Sequence, residues 1–159
     1  MSSIKKTGVF VNEEVDNIAA IVNKYRLDAV QLHGQETPEA CKELKDKLGV
    51  IMIKAFPVTE NFDFEQLRTY TSVVDHFLFD TPTASHGGSG KLFDWSNLER
   101  YPFYNTYFLS GGIGVDQVDE ILALRDHRLF AVDVNSRFET APGIKNIAQL
   151  NSFFKALKG

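Results

Sequence analysis

Asp80 closes the run His76-Phe-Leu-Phe-Asp80, and the chain then enters Thr81-Pro-Thr-Ala-Ser-His86-Gly-Gly-Ser-Gly90. A short apolar run bounded by turn residues reads as a strand buried on both faces, so Asp80 stands where such a strand ends. In folds built from parallel strands, ligands bind at the carboxyl ends of the strands, and a carboxyl there can give or take a proton. The ordinary alternative is that Asp80 caps the turn that follows. Two further loops have a composition suited to an anion. Ser110-Gly111-Gly112 follows the run Thr106 to Leu109, and Asn135-Ser136 follows the run Leu129 to Val134, with Pro142-Gly143 ahead of the last helical stretch. Backbone N–H groups in adjacent loops after the last two strands, near a helix N-terminus, favour a phosphate. Gly111 and Gly112 alone could simply turn the chain. Their pairing with Asn135 and Ser136 strengthens the anion reading.

These residues need a scaffold, and the chain supplies one by repetition. Thr7 to Val11 reads as a strand, Asn12 as an N-cap, and Val15, Ile18, Ala19 and Val22 as one helical face. The unit recurs as Ala29 to Leu32 ending at His33-Gly34, then Thr37 and Pro38 opening a helix with Cys41, Leu44 and Leu48 on one side. Val50 to Ile53, His76 to Phe79, Thr106 to Leu109 and Leu129 to Val134 are further strands. Helical stretches follow at Phe62 to Tyr70, around Trp95 to Leu98, and with Val118, Ile121 and Leu122. The last helix is expected to set Ile147, Leu150, Phe154 and Leu157 on one face. Six such units at intervals of roughly twenty to thirty residues imply an α/β domain with a parallel sheet and helical crossovers. Periodicity does not separate an open doubly wound sheet from part of a barrel. An eight-unit barrel takes about 200 residues or more, so 159 residues are too few for a complete one. One domain over residues 1–159 is the expectation, with no linker or low-complexity segment.

A net charge of −4 without a basic run argues against a nucleic-acid or anionic-membrane surface. The N-terminus carries no apolar signal core and no window approaches membrane-spanning length, which points to a cytoplasmic protein. The single cysteine, Cys41, allows no intrachain disulfide. His76, His86 and His127 show no spacing that suggests a metal.

Phe10-Val-Asn-Glu13, Val30-Gln-Leu-His-Gly34, Phe79-Asp-Thr81, Gly87-Gly-Ser-Gly-Lys-Leu-Phe-Asp-Trp95, Leu109-Ser-Gly-Gly112 and Val132-Asp-Val-Asn-Ser-Arg-Phe-Glu139 occur in that order. The ordered set closely resembles the phosphoribosylanthranilate isomerases of tryptophan biosynthesis, from about Thr7 to the C-terminus. That resemblance implies a (β/α)8 TIM barrel, here an incomplete one of about six βα units. It also implies an Amadori rearrangement of a phosphorylated sugar substrate with no metal or organic cofactor. Asp80 matches the family's general acid, which must protonate the ribose ring oxygen. Apolar surroundings such as Phe77 and Phe79 would favour a protonated carboxyl. His33 and Asp133 match positions near the substrate, Gly111, Gly112, Asn135 and Ser136 match the phosphate cradle, and Gly87 to Gly90 matches a mobile loop over the site. Small residues, often ending in glycine, are common in relatives where this chain has Asn135-Ser136-Arg137. The loop should be stiffer, and Arg137 is expected to add charge at the anion site.

The resemblance also implies an absence. The family begins with two further βα units, whose first strand carries a Lys-x-Cys-Gly stretch with the general-base cysteine, and the matched region here starts at the third strand. Cys41 lies mid-helix beside Leu44 and Leu48 and reads as core. This chain by itself is therefore expected to have little or no activity, and its unpaired edge strands to invite self-association. A non-catalytic phosphate-binding module, or a half-barrel needing a partner, is the alternative. Another phosphate-binding barrel, such as indole-glycerol-phosphate synthase or a histidine-pathway isomerase, fits the last two loops but not the stretch from Asp80 to Trp95.

Overall fold

Strand positions 77 to 79 are apolar on both faces because the strand they form is covered on both faces. The computed structural model describes residues 4–81 and 95–158, so the Gly87 to Gly90 loop lies outside the described residues. The strands are β1 (Thr7–Phe10), β2 (Ala29–Leu32), β3 (Ile51–Pro57), β4 (His76–Asp80), β5 (Thr106–Ser110) and β6 (Leu129–Val132). They form one sheet in the order β1-β2-β3-β4-β5-β6, and every neighbouring pair is parallel. Sequential order with all-parallel pairing is what right-handed helical crossovers produce, and it puts all six carboxyl ends on one rim.

Alternation along the strands sorts the side chains. Phe10, Val30, Leu32, Met52, Phe77, Phe79, Tyr107 and Leu109 belong to the large core beneath the helices. Ala29, Ile53, Ala55 and Leu78 form a second, smaller cluster with Ile51 and Phe108 against it. Aromatic rings knit the large core: Phe79 lies 5.7 Å from Phe64, 5.2 Å from Tyr101 and 4.9 Å from Tyr107, centroid to centroid. Truncating such a ring to Ala typically costs about 3–5 kcal/mol.

Helix α1 (Val15–Tyr25) buries Ile18, Ala19 and Val22. Helix α2 (Pro38–Leu48) starts as its residues dictate: Thr37 accepts from the Ala40 N–H, Pro38 occupies the first turn, and Gly49 ends the helix in the left-handed region at φ 62°. Short 3-10 helices at Phe64–Tyr70 and Trp95–Arg100 stand where longer crossover helices could have been. Another, Val115–Gln117, runs into α3 (Val118–Ala123). After β6 come a 3-10 turn at Ser136–Phe138, a hairpin of β7 (Glu139–Ala141) and β8 (Ile144–Lys145), and α4 (Ile147–Lys158).

Four local expectations are corrected. Asn12 does not cap α1: Glu14 holds that position, and Asn12 takes φ 52° so that its side-chain oxygen accepts from the Gln35 N–H at 2.6 Å. Strand β3 continues past Ile53 through Lys54, which is only 2% exposed. Pro142-Gly143 forms the turn of the β7–β8 hairpin instead of leading into a helix. The inner face of α4 centres on Phe153, packed 4.9 Å from Phe138, while Phe154 and Ile147 are exposed. Among the described residues, no helix is long and apolar enough to cross a membrane.

Candidate active site

The end of β4 puts the Asp80 carboxylate on the face it shares with Leu78, because residues two apart in a strand point the same way. By the same rule Phe77 and Phe79 point to the opposite face, into the large core, so they do not surround the carboxyl as expected. Its neighbour is His33, one residue beyond β2, whose Nε2 lies 3.6 Å from Asp80 Oδ2. The two side chains are 35% and 42% exposed, so a ligand can reach both. The His33 N–H donates to the Phe10 carbonyl at 2.8 Å, and the Gln31 side-chain nitrogen lies 2.9 Å from His33 Nδ1.

The row continues across the sheet. Asp80 is in register with Ser110, and the Thr81 N–H and hydroxyl both donate to the Ser110 carbonyl, at 3.0 and 2.8 Å. The Ser110 hydroxyl donates to Asp133 Oδ2 at 3.1 Å, and the Asp133 N–H donates to the Leu109 carbonyl at 2.8 Å. His33, Asp80, Ser110 and Asp133 therefore line one rim, from the end of β2 to the end of β6.

Beside that row the β5 loop comes so close to Thr81 that only glycine fits. Gly111 has φ 107°, and a Cβ there would sit 1.8 Å from the Thr81 carbonyl oxygen. Gly112 is also left-handed, at φ 61°. The facing loop begins at Asn135, whose carbonyl accepts from the Phe138 N–H at 3.0 Å. The side-chain oxygen of Asn135 accepts from the Lys145 ammonium, which also holds Glu139 at 2.6 Å. Nothing local to Lys145 points to this loop, because the β7–β8 hairpin is what returns it there.

Arg137 joins the two loops. It pairs with Asp116 Oδ1 at 2.7 Å and donates to the Gly112 carbonyl and to Gln117 Oε1, both at 3.1 Å. Its charge is thus matched by Asp116, which revises the expectation of an added cation for the anion.

Beneath the β2 rim lies a buried pair that the sequence did not announce. Lys54 Nζ stands 3.3 Å from Glu36 Oε2 and donates to the carbonyls of Leu32, Gly34 and Ala55 at 3.3, 2.9 and 2.9 Å. Glu36 accepts from the N–H groups of Asn12 and Gly34. Burial works against the Glu36 charge, but the donated N–H groups and the Lys54 ammonium outweigh it and hold the carboxyl below its usual range. Burial also dominates at Lys54 and leaves it below the ordinary lysine value despite Glu36. A lysine inside an otherwise apolar strand was the available signal.

Cys41 is fully buried on α2, and burial pushes its thiol up to about 11. A thiol so placed is protonated at neutral pH and, with no exposed surface, is closed to a ligand. Among the described residues, no group of three or more His, Cys, Asp or Glu side chains is placed to hold a metal ion.

The family model for N-(5'phosphoribosyl)anthranilate (PRA) isomerase matches residues 2–156. The chain belongs to this family. A PRA isomerase of Parabacteroides distasonis is 44% identical over 155 residues, which are 98% of this chain and 70% of that protein. One from Phocaeicola vulgatus is 39% identical, over 96% of this chain and 74% of that one. The crystal structure of the Thermotoga maritima PRA isomerase superposes with a TM-score of 0.80 at 37% identity, covering 98% of this chain and 74% of that one. Another PRA isomerase structure, a complex with reduced 1-(o-carboxyphenylamino)-1-deoxyribulose 5-phosphate, matches with a TM-score of 0.78 at 33% identity, over 98% and 72% of the two chains. The six-stranded parallel sheet is accordingly an arc of the (β/α)8 barrel of the PRA isomerases, and β1 and β6 do not pair with each other.

Proposed function

We propose that this chain serves tryptophan biosynthesis in the cytoplasm as a PRA isomerase, converting N-(5-phosphoribosyl)anthranilate to 1-(2-carboxyphenylamino)-1-deoxyribulose 5-phosphate. Asp80 gives a proton to the ribose ring oxygen as the bond from that oxygen to C1 breaks, and the anthranilate nitrogen lone pair forms the iminium. Loss of the C2 proton then yields an enolamine, which tautomerises to the ketose. His33 and Asp133 meet the sugar part. Gly111, Gly112, Asn135 and Ser136 hold the phosphate through backbone N–H groups, and no metal or organic cofactor takes part.

The observation that carries this reading is the row of His33, Asp80, Ser110 and Asp133 on one rim, with Gly111 packed against Thr81 at its side. A carboxyl and a glycine-bearing loop on neighbouring strand ends support a reading in which one sugar phosphate meets both.

The resemblance implies a cysteine as the group that removes the C2 proton, and Cys41, the single cysteine of these 159 residues, is buried in the core. Assayed alone, the chain is expected to show little or no turnover, because losing one acid–base group commonly costs about 10²–10⁴-fold. The edges of β1 and β6, unpaired among the described residues and with Val9 and Phe130 exposed, favour self-association. An isomerase assay compares the chain alone with the chain joined behind the part of the P. distasonis relative that it does not cover. Turnover by the joined form only is the expected result. Rescue of a tryptophan auxotroph by the chain alone would refute the inactivity, and a folded joined form without turnover would refute the isomerase reading.

A further inference from the structure

The backbone on both sides of His33 is pinned. Its own N–H is bonded to Phe10, and Lys54 holds the carbonyls of Leu32 and Gly34. Glu36 takes the Gly34 N–H at 3.0 Å, and a Cβ on Gly34 would lie 2.3 Å from the Asn12 side-chain oxygen, so the turn has no room to relax. With the backbone fixed, what varies at His33 is its two side-chain torsions and which ring nitrogen carries the proton.

Gln31 decides that. It lies two residues earlier on the same face, and its side-chain nitrogen is 2.9 Å from Nδ1. With its NH2 turned to the ring, Gln31 donates and Nδ1 accepts, and a neutral imidazole then carries its one proton on Nε2. Nε2 is the nitrogen 3.6 Å from Asp80 Oδ2. That separation is too long for a direct hydrogen bond, and a ligand oxygen between the two groups can meet both.

We propose that Gln31 is a positioning residue that fixes His33 in the Nε2–H tautomer, so that a hydrogen-bond donor faces the ligand beside Asp80. This rests on the reading of the rim as the sugar-phosphate site. Gln31→Glu reverses the polarity, because a carboxylate can only accept and draws the proton to Nδ1. Gln31→Leu removes the preference.

Long-range proton–nitrogen NMR of the folded 159-residue chain, at mildly alkaline pH, reads the tautomer without any turnover. The parent chain is expected to show Nε2–H at His33, Gln31→Glu to lose it, and Gln31→Leu to give a mixture, each checked for folding by thermal melting. In the same proteins, affinity for reduced 1-(o-carboxyphenylamino)-1-deoxyribulose 5-phosphate should fall about tenfold in Gln31→Glu, one charge-assisted hydrogen bond's worth, and no further when His33→Ala is added. Nδ1–H in the parent, or a spectrum unchanged by both substitutions, overturns the proposal and leaves the role of Asp80 standing. Loss of the role of Asp80 in turnover, with the tautomer as described, would instead overturn the catalytic reading.

Discussion

Replacing Lys54 by Met removes an ammonium that is 2% exposed while leaving Glu36, 5% exposed, as a buried charge without its counter-ion. Breaking one partner of such a pair typically costs about 3–5 kcal/mol, a large share of the about 5–15 kcal/mol that a domain has. For a chain of this length that is a fall in Tm of about 6–20 °C. The paired change Lys54→Met with Glu36→Gln removes both charges. The amide oxygen that then stands at position 36 still accepts an N–H, and the carbonyls of Leu32, Gly34 and Ala55 lose their common donor. The double variant should therefore lie only about 1–3 kcal/mol below the parent, and so be more stable than Lys54→Met alone. Urea unfolding, with Cm and m fitted for all four proteins, measures the cycle. A loss of less than about 1 kcal/mol for Lys54→Met, or a double variant weaker than either single one, would refute the account of this pair.

Acid should unfold the protein through its paired carboxyls. Burial opposes charge at Glu36, Asp75 and Asp126, but bonds from Asn12 and Lys54, from Lys45 and Met52, and from Arg128 and Tyr107 respectively leave each pKa lowered. Their stabilisation is full above the unfolded carboxylate values near about pH 4 and is lost as pH falls through the lower folded values, so Cm should hold down to about pH 5 and then drop. Gly111→Ala forces a side chain onto the Thr81 carbonyl at positive φ and should cost about 1–3 kcal/mol or more, with phosphate binding lost in calorimetry. Arg137→Ala unties the β5 loop from the β6 loop and should weaken binding of inorganic phosphate by about twofold to fivefold, with little change in Tm, since the Arg137–Asp116 pair is half exposed.

The strands were legible because most of their residues are apolar or β-branched and each run is bounded by turn residues, a pattern that survives without tertiary context. The strand ends followed, and with them the placement of His33, Asp80 and Asp133. What stayed hidden depends on distant partners. Asn12 has the composition of a cap, but its side chain is claimed by Gln35, 23 residues away. Arg137 has a carboxylate partner 21 residues back, and nothing local to Ser136-Arg137-Phe138 points to Asp116. In α4, aromatic residues at 153 and 154 fit the periodicity equally well, and Phe138 decides for Phe153 by packing against it. Alternation alone would have shown that Phe77 and Phe79 face away from Asp80. Among the described residues the titratable neighbour of its carboxylate is His33, just past the end of β2.

In the proposed reaction Asp80 delivers a proton to a sugar phosphate held on this rim. Steady-state turnover of N-(5-phosphoribosyl)anthranilate by the joined form, with and without Asp80→Asn, tests it most directly. A fall in kcat of about 10²–10⁴-fold is expected, with affinity for the reduced product analogue kept within a few-fold. A variant that turns over within about tenfold of the parent would contradict the claim.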